Sequence, residues 1–226
     1  GHPVLLVVGW QKYRRSTDIF TAWLLQFLLN KQFKHSVRDA YTQQRLAGAG
    51  VTNVINTGCV TTWRLTPDHC KDIPSQKSDS VVLTVTCYDK KPEVDRAWID
   101  LVCSKYKHVY FWPQMTDDEP YFKSICNRDV TWIGGNLTAY DKFLASTDVD
   151  FIGTRLHGGI RALQHKRRAL ILEVDNRAKE MGKDTNLPTC DRGDLDKISQ
   201  MIDVSAEIKL RLAMDNIHAW KAQFKS

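Results

Sequence analysis

From residue 80 onward the chain alternates, with few breaks, between short apolar runs and longer runs with helical spacing. Strand-like segments at 81–86, 109–112, 130–133, 150–153 and 169–174 are separated by helix-like segments at 93–106, 119–126, 137–146, 156–164 and 177–181. A strand that rejoins its sheet after a helix pairs parallel to its predecessor, through a right-handed crossover. Few architectures satisfy that pattern, and it predicts an α/β fold built on a parallel sheet with helices on both faces.

The fold class expected is therefore Rossmann-like, with doubly wound parallel sheets. Residues 1–62 alternate in the same way but hold fewer strands, at 4–8, 34–38 and 52–56. Their helices lie over 18–30, capped by Asp18, and over 42–47, stopped by Gly48 and Gly50. Three strands are thin for a sheet, which typically has about 5–6. The segment reads as the remainder of an amino-terminal Rossmann-like domain whose beginning lies upstream. Residues 63–79, punctuated by Pro67, Pro74 and Ser75, read as a linker. Residues 80–205 form the carboxy-terminal Rossmann-like domain, including a helix at 194–202, and 206–226 a closing helix.

The net charge of +6 is dispersed, with local clusters at Arg14-Arg15 and Lys166-Arg167-Arg168. A dispersed basic excess suits small anionic substrates. No basic stripe accompanies it, so no nucleic-acid partner is expected. The longest apolar run, 19–29, is interrupted by Thr21 and Gln26 and falls short of the roughly 20 residues that span a bilayer. None of the six cysteines forms a C-x-x-C pair, which argues against a zinc or dithiol site and for reduced cysteines. The chain opens directly on a strand-like segment. A cytoplasmic location is expected, and the sequon pattern Asn136-Leu137-Thr138 has no secretory context. No cofactor is expected.

Chemistry concentrates at Thr154-Arg155-Leu156-His157-Gly158-Gly159-Ile160. This segment joins the end of a strand to the start of a helix, the edge at which open α/β sheets bind ligands. Helix amino-termini offer unpaired N–H groups to anions. Arg155 and His157 added there can hold an anion and move a proton. His157 alone would read as a helix cap; beside Arg155 and two glycines the functional reading leads. Arg155 could instead serve a salt bridge to Asp150 or Asp175. Gly158 and Gly159 would let the backbone approach a ligand. Gln114, after Pro113 at another strand end, is either a loop polar group or a cleft residue. Asp175-Asn176-Arg177 either caps a helix or adds sugar-binding and donor-binding groups. Arg38 is either half of a surface ion pair with Asp39 or a ligand-binding cation. Asp148-Val149-Asp150 resembles a D-x-D metal motif, but it precedes a strand rather than ending one, so no metal site is expected there. Gly9-Trp10-Gln11-Lys12-Tyr13 either stacks on a sugar or buries a Trp at a domain junction. Cys59 has no base nearby in sequence and reads as a small buried residue.

Three segments together carry a family resemblance. They are Ser36-Val37-Arg38-Asp39 with Gly50-Val51-Thr52-Asn53-Val54; Val109-Tyr110-Phe111-Trp112-Pro113-Gln114 with Asp117 and Asp118; and 150–163 followed by 169–177. In that order they resemble the polysaccharide pyruvyl transferase family. The resemblance implies a glycosyltransferase-B-type two-domain architecture. It implies transfer of pyruvate from phosphoenolpyruvate to a saccharide, forming a ketal in polysaccharide or cell-surface glycan synthesis. It makes His157 the general acid or base and Arg155 a catalytic cation, with Arg38 also gripping the donor. Leu156, Gly158, Gly159, Gln114, Asp175, Asn176 and Arg177 complete the expected binding set. The implied partners are phosphoenolpyruvate and a saccharide or lipid-linked acceptor, the latter bringing peripheral membrane contact. The alternatives are a nucleotide-sugar glycosyltransferase or a non-catalytic module of a polysaccharide-assembly system.

Overall fold

The computed structural model describes residues 1–10 and 17–224. The chain forms two compact units that interleave in sequence. One comprises Gly1–Trp63, Asp175–Leu187 and Leu210–Ser226; the other comprises Arg64–Val174 and Pro188–Lys209. In chain order the elements are α1 (Ile19–Leu28), β1 (His35–Val37), α2 (Ala40–Gly48), β2 (Val54–Asn56), α3 (Pro67–Lys71), β3 (Ser80–Thr84), α4 (Pro92–Lys105), β4 (His108–Phe111) and α5 (Asp118–Ile125). They continue with β5 (Thr131–Trp132), α6 (Leu137–Ser146), β6 (Asp150–Gly153), α7 (Leu156–Gln164), β7 (Ala169–Glu173), α8 (Asn176–Thr185), β8 (Thr189–Asp191), α9 (Leu195–Asp203) and α10 (Met214–Ala222).

The second unit holds a six-stranded sheet in the order β5-β4-β3-β6-β7-β8, every neighbouring pair parallel. The chain enters at β3 in the middle and winds outward through β4 to β5. It then returns to the other flank of β3 as β6 and winds outward again through β7 to β8. The winding thus reverses between β3 and β6. At such a reversal the loops at the strands' carboxyl ends diverge and open a crevice.

Burial follows this plan. Every residue of β3 and β6 is buried, as expected of central parallel strands covered on both faces. Leu83, Trp98, Phe111, Phe122, Ile152 and Leu172 fill one core cluster. Phe111 and Phe122 stack at 3.9 Å between centroids. Gly153 lies tight against Thr84 of β3. A Cβ there would fall 2.6 Å from the carbonyl oxygen of Thr84 and 2.7 Å from its nitrogen. The strand ladder cannot yield, so Gly153→Ala should cost about 3 kcal/mol or more. An unchanged urea midpoint would contradict this.

Asp150 opens β6 as a buried carboxylate. It accepts hydrogen bonds from Tyr106 Oη at 2.7 Å and Arg168 Nη1 at 3.3 Å. Arg168 also donates to the carbonyls of Met201 and Ile202. Burial outweighs these partners and raises the Asp150 pKa from 3.8 to about 6. Between those values the folded chain keeps a proton that the unfolded chain has released. This contribution to stability is complete below the lower value and lost as pH rises through the upper one, a change of about 3 kcal/mol. Urea titrations from pH 4 to pH 7 should show that decline in the wild type, and Asp150→Asn should flatten it. Equal slopes would refute the assignment.

In the first unit β1 and β2 pair in parallel. The expected strand at 4–8 reduces to one bridge, Val8 to Val37. Val7 adopts φ +52°, a left-handed conformation that breaks the ladder. Side chains of β1 complete the pairing: Val7 N–H donates to Ser36 Oγ and Leu5 N–H to His35 Nδ1. His35 Nε2 contacts the Asn30 carbonyl at 2.8 Å, so that nitrogen carries the proton and the ring is neutral. Burial lowers its pKa accordingly. Asp18 and Asp39 cap α1 and α2 through Thr21 N–H and Thr42 N–H.

Other local expectations change. Residues 63–79 include α3, with Pro67 at its first position and Thr66 as its cap. Helix α8 runs on to Thr185 and stops at Asn186, which takes a left-handed φ of 58°. The helix expected at 206–224 shortens to α10. Ahead of it Ala206 N–H donates to Ser75 O and Arg211 N–H to Thr185 O, bonds that hold this stretch out of a helix.

Candidate functional site

In the second unit the site builds from the loops that leave β3, β4 and β6. Arg155 occupies the residue just before α7, and its side chain reaches the loop after β3. Its Nε donates to the carbonyl of Val85 at 2.9 Å, and its Nη2 forms an ion pair with Asp118. Both partners are buried, at 7% and 0% exposure, so solvent screens the pair little. The guanidinium carbon lies 5.2 Å from the Tyr88 ring centroid. Arg155 N–H also donates to Thr84 Oγ1 at 3.3 Å. The salt bridge that the sequence offered as the alternative role of Arg155 is present, with Asp118 as its partner rather than Asp150. Asp150 holds Tyr106 and Arg168, and Asp175 holds Arg177.

Asp118 is the residue that sequence reasoning undervalued. Besides Arg155, its oxygens accept from the backbone N–H groups of Cys87 at 3.1 Å, Gln114 at 3.1 Å and Met115 at 2.9 Å. One carboxylate thus ties together three loops that are distant in sequence. The available signal was the Asp117-Asp118 pair after the fourth strand-like run, which equally suits the first turn of a helix. Thr86 adds a further tie between two of these loops, with its Oγ1 2.8 Å from Thr154 Oγ1. Cys87 lies 3.8 Å from Arg155 Nη2. Burial first, then the Asp118 carboxylate, pushes its thiol pKa up, which disfavours the reactive thiolate.

His157 is exposed in the first turn of α7, two residues past Arg155. Leu156 beside it is buried. Gly158 and Gly159 are buried too, and the approach they permit is that of α7 onto the sheet. A Cβ on Gly158 would lie 3.2 Å from the Phe151 ring, and one on Gly159 2.8 Å from Ile171 Cδ1. Behind the helix, Tyr140 Oη donates to Gly158 O at 3.1 Å, and Tyr140 stacks on Trp112 at 3.9 Å. The Gln114 side chain is exposed in the loop after β4. Asp148 is exposed and Asp150 opens β6, which leaves the D-x-D pattern at the opposite end of the strand from Arg155.

The first unit carries the remaining expected residues. Arg38 follows β1, with Nε 3.5 Å from Asp39 Oδ2. Asp175 caps α8 through Arg177 N–H and pairs with the Arg177 side chain at 2.7 Å. Asn176 is buried and donates from Nδ2 to Trp10 O at 2.8 Å. Trp10 is half-buried, with the Arg45 guanidinium 5.5 Å from its ring. Gln11, Lys12 and Tyr13 lie outside the described residues. Cys59 is buried. The structure brings Asn176 to the Gly9-Trp10 turn, and Arg38 lies against Gly9 of the same turn.

A family model described as polysaccharide pyruvyl transferase matches residues 12–176, more than half of the chain. Searches of the curated proteins and of the solved structures give no match to it.

Proposed function

The chain belongs to the polysaccharide pyruvyl transferase family, and from that premise we propose that it transfers pyruvate from phosphoenolpyruvate to two hydroxyls of a saccharide. The product is a pyruvate ketal, made in the synthesis of a polysaccharide or cell-surface glycan. In this reading the two units are the Rossmann-like domains of a glycosyltransferase-B-type enzyme working in the cytoplasm. A lipid-linked acceptor would bring it to the membrane surface.

One observation carries the reading. A guanidinium and an imidazole stand two residues apart at the winding reversal of a parallel sheet. The guanidinium is fixed by a buried carboxylate, while the imidazole is exposed. Arg155 supplies positive charge for the donor's carboxylate or phosphate. His157 delivers a proton to the methylene carbon of phosphoenolpyruvate, which becomes the methyl group. The adjacent carbon, now oxocarbenium-like, takes the first sugar hydroxyl, which loses its proton. The second hydroxyl displaces phosphate from the same carbon and loses its own proton, leaving the ketal and inorganic phosphate. The α7 amino-terminus faces the negative charge that develops on the departing phosphate.

The test is incubation of the chain with phosphoenolpyruvate and a panel of saccharides, followed by phosphorus and proton NMR. Release of inorganic phosphate together with a new ketal methyl singlet is expected. The strand order also suits a nucleotide, so uridine and guanosine diphosphates are run as ligands. Saturable nucleotide binding without phosphoenolpyruvate turnover on any acceptor would replace this reading with glycosyl transfer.

A further inference from the structure

In the second unit, α4 and α5 meet along one stripe of α4. Arg96 Nη2 donates to the carbonyl of Ser124 at 3.5 Å, and Asp100 Oδ1 lies 3.7 Å from Arg128 Nε. Residues 96, 100 and 103 follow one another at helical spacing on a single face, so Cys103 comes next along the stripe. Opposite it, between Ser124 and Arg128, stands Cys126, the residue that ends α5. The two thiols meet there, and Cys103 donates a hydrogen bond to the Cys126 sulfur. Both form no disulfide, both are half-buried, and both pack against the core cluster that holds Val102 and Ile125. The sequence spaces no two cysteines as C-x-x-C; the fold supplies the pair that spacing does not.

The two sulfurs are not equivalent. The bond from Cys103 favours a Cys126 thiolate, as do the Arg128 backbone N–H and guanidinium, against burial and the Asp100 carboxylate. The balance lowers the Cys126 pKa to about 7, so about half of it is ionised at neutral pH. Cys103 moves the other way, because it donates to Cys126, is itself desolvated and faces the Cys126 charge. The other cysteines have no such setting. Cys59, Cys70 and Cys190 are buried, and burial raises the pKa of Cys87 and of Cys190. A part-exposed thiolate with a second thiol in reach is the arrangement that oxidants address.

We propose that Cys126 and Cys103 form a redox-active dithiol, which peroxides oxidise to a reversible disulfide tying α4 to α5. The Cys126 thiolate attacks one oxygen of hydrogen peroxide. The O–O bond breaks, hydroxide leaves and Cys126 becomes a sulfenic acid. The negative charge beside Cys103 is then gone, so Cys103 gives up its proton and attacks the Cys126 sulfur. The S–O bond breaks, the disulfide forms and a second hydroxide leaves. The two protons shed by the thiols turn both hydroxides into water, and two electrons have passed from the thiols to the peroxide. A thiol reductant reverses the step by exchange. Cys126 ends the helix that Asp118 begins, so the proposal stands apart from the phosphoenolpyruvate reading.

The experiment exposes the reduced chain to hydrogen peroxide at neutral pH, blocks the remaining thiols and maps the cysteines by peptide mass spectrometry. Wild type should lose two of its six thiols, with the Cys103 and Cys126 peptides joined within one monomer and freed by dithiothreitol. Cys103→Ser should stop at a sulfenic acid on Cys126, captured by dimedone. Cys126→Ser should give neither the link nor a sulfenic acid on Cys103. Without oxidant, iodoacetamide should alkylate Cys126 about tenfold faster than Cys103 or Cys87, in line with its larger thiolate fraction. Melting temperatures check that both variants fold, and the wild-type map decides the matter if either does not. Thiol loss spread over all six cysteines, a link between other cysteines or between two chains, or inertness of Cys126 to peroxide would overturn the proposal. Oxidation of wild-type Cys126 to the sulfinic acid with no link would overturn it too, since Cys103 would then fail to resolve the sulfenic acid.

Discussion

Replacing His157 with alanine should lower turnover about 10²- to 10⁴-fold, the range lost when a positioned general acid is removed. The fold should survive, because the side chain is exposed in the first turn of α7 while the residues around it, Leu156, Gly158 and Gly159, carry the packing. Loss of turnover with little change in melting temperature or in phosphoenolpyruvate affinity would separate proton transfer from binding. His157→Gln should match the alanine variant, since an amide hydrogen-bonds but does not donate a proton to carbon. Turnover within threefold of wild type in either variant would remove His157 from the chemistry.

Arg155→Met should be as severe for a different reason. It removes the cation from the proposed donor site and also leaves the Asp118 carboxylate buried beside three backbone donors with no countercharge. Breaking one side of a buried pair costs about 3–5 kcal/mol. Urea denaturation should show that loss, and Asp118→Asn in the same chain should recover part of it by removing the stranded charge. Arg155→Lys should stay folded yet bind donor weakly, since an ammonium cannot reach both the Val85 carbonyl and Asp118 in a fork. A fully stable Arg155→Met would mean that the pair is hydrated rather than buried.

Much of the second unit was legible because parallel strands buried on both faces are written as uninterrupted apolar runs, as in Val81-Val82-Leu83. Caps were legible for a similar reason. Asp18 and Asn136 act on backbone groups three residues away, so their signal is local. Strand β8 was not legible: Thr189-Cys190-Asp191 has no apolar alternation and exists because β7 offers it a ladder. The strand expected at 4–8 failed for the opposite reason, since its apolar run was clear but Val7 turns the backbone and side chains of β1 take two of its N–H groups. In the site, Arg155 and His157 stood out as neighbours in one motif. Asp118 did not, because its worth comes from loops that only the folded chain brings together. The glycines of that motif also seat α7 on Phe151 and Ile171, a packing need that only the folded chain displays.

The reversal of winding between β3 and β6 also dictates when this protein can become complete. Strands β3, β4 and β5 follow one another along the chain and can associate as soon as each is made. The inner flank of β3 must wait for β6, and the bond from Arg155 N–H to Thr84 Oγ1 spans 71 residues. Contacts of such span close slowly, because the loop entropy is lost before the contact repays it. A nascent chain ending near Ser146 therefore carries a bare strand edge with the apolar run Val81-Val82-Leu83 at its centre, the kind of surface that recruits a second chain. The arrival of the Arg155 segment covers that edge and assembles the proposed anion site in one event. Ligand binding would then serve as a readout of folding completed, and a chaperone's most useful hold on this chain would be on β3.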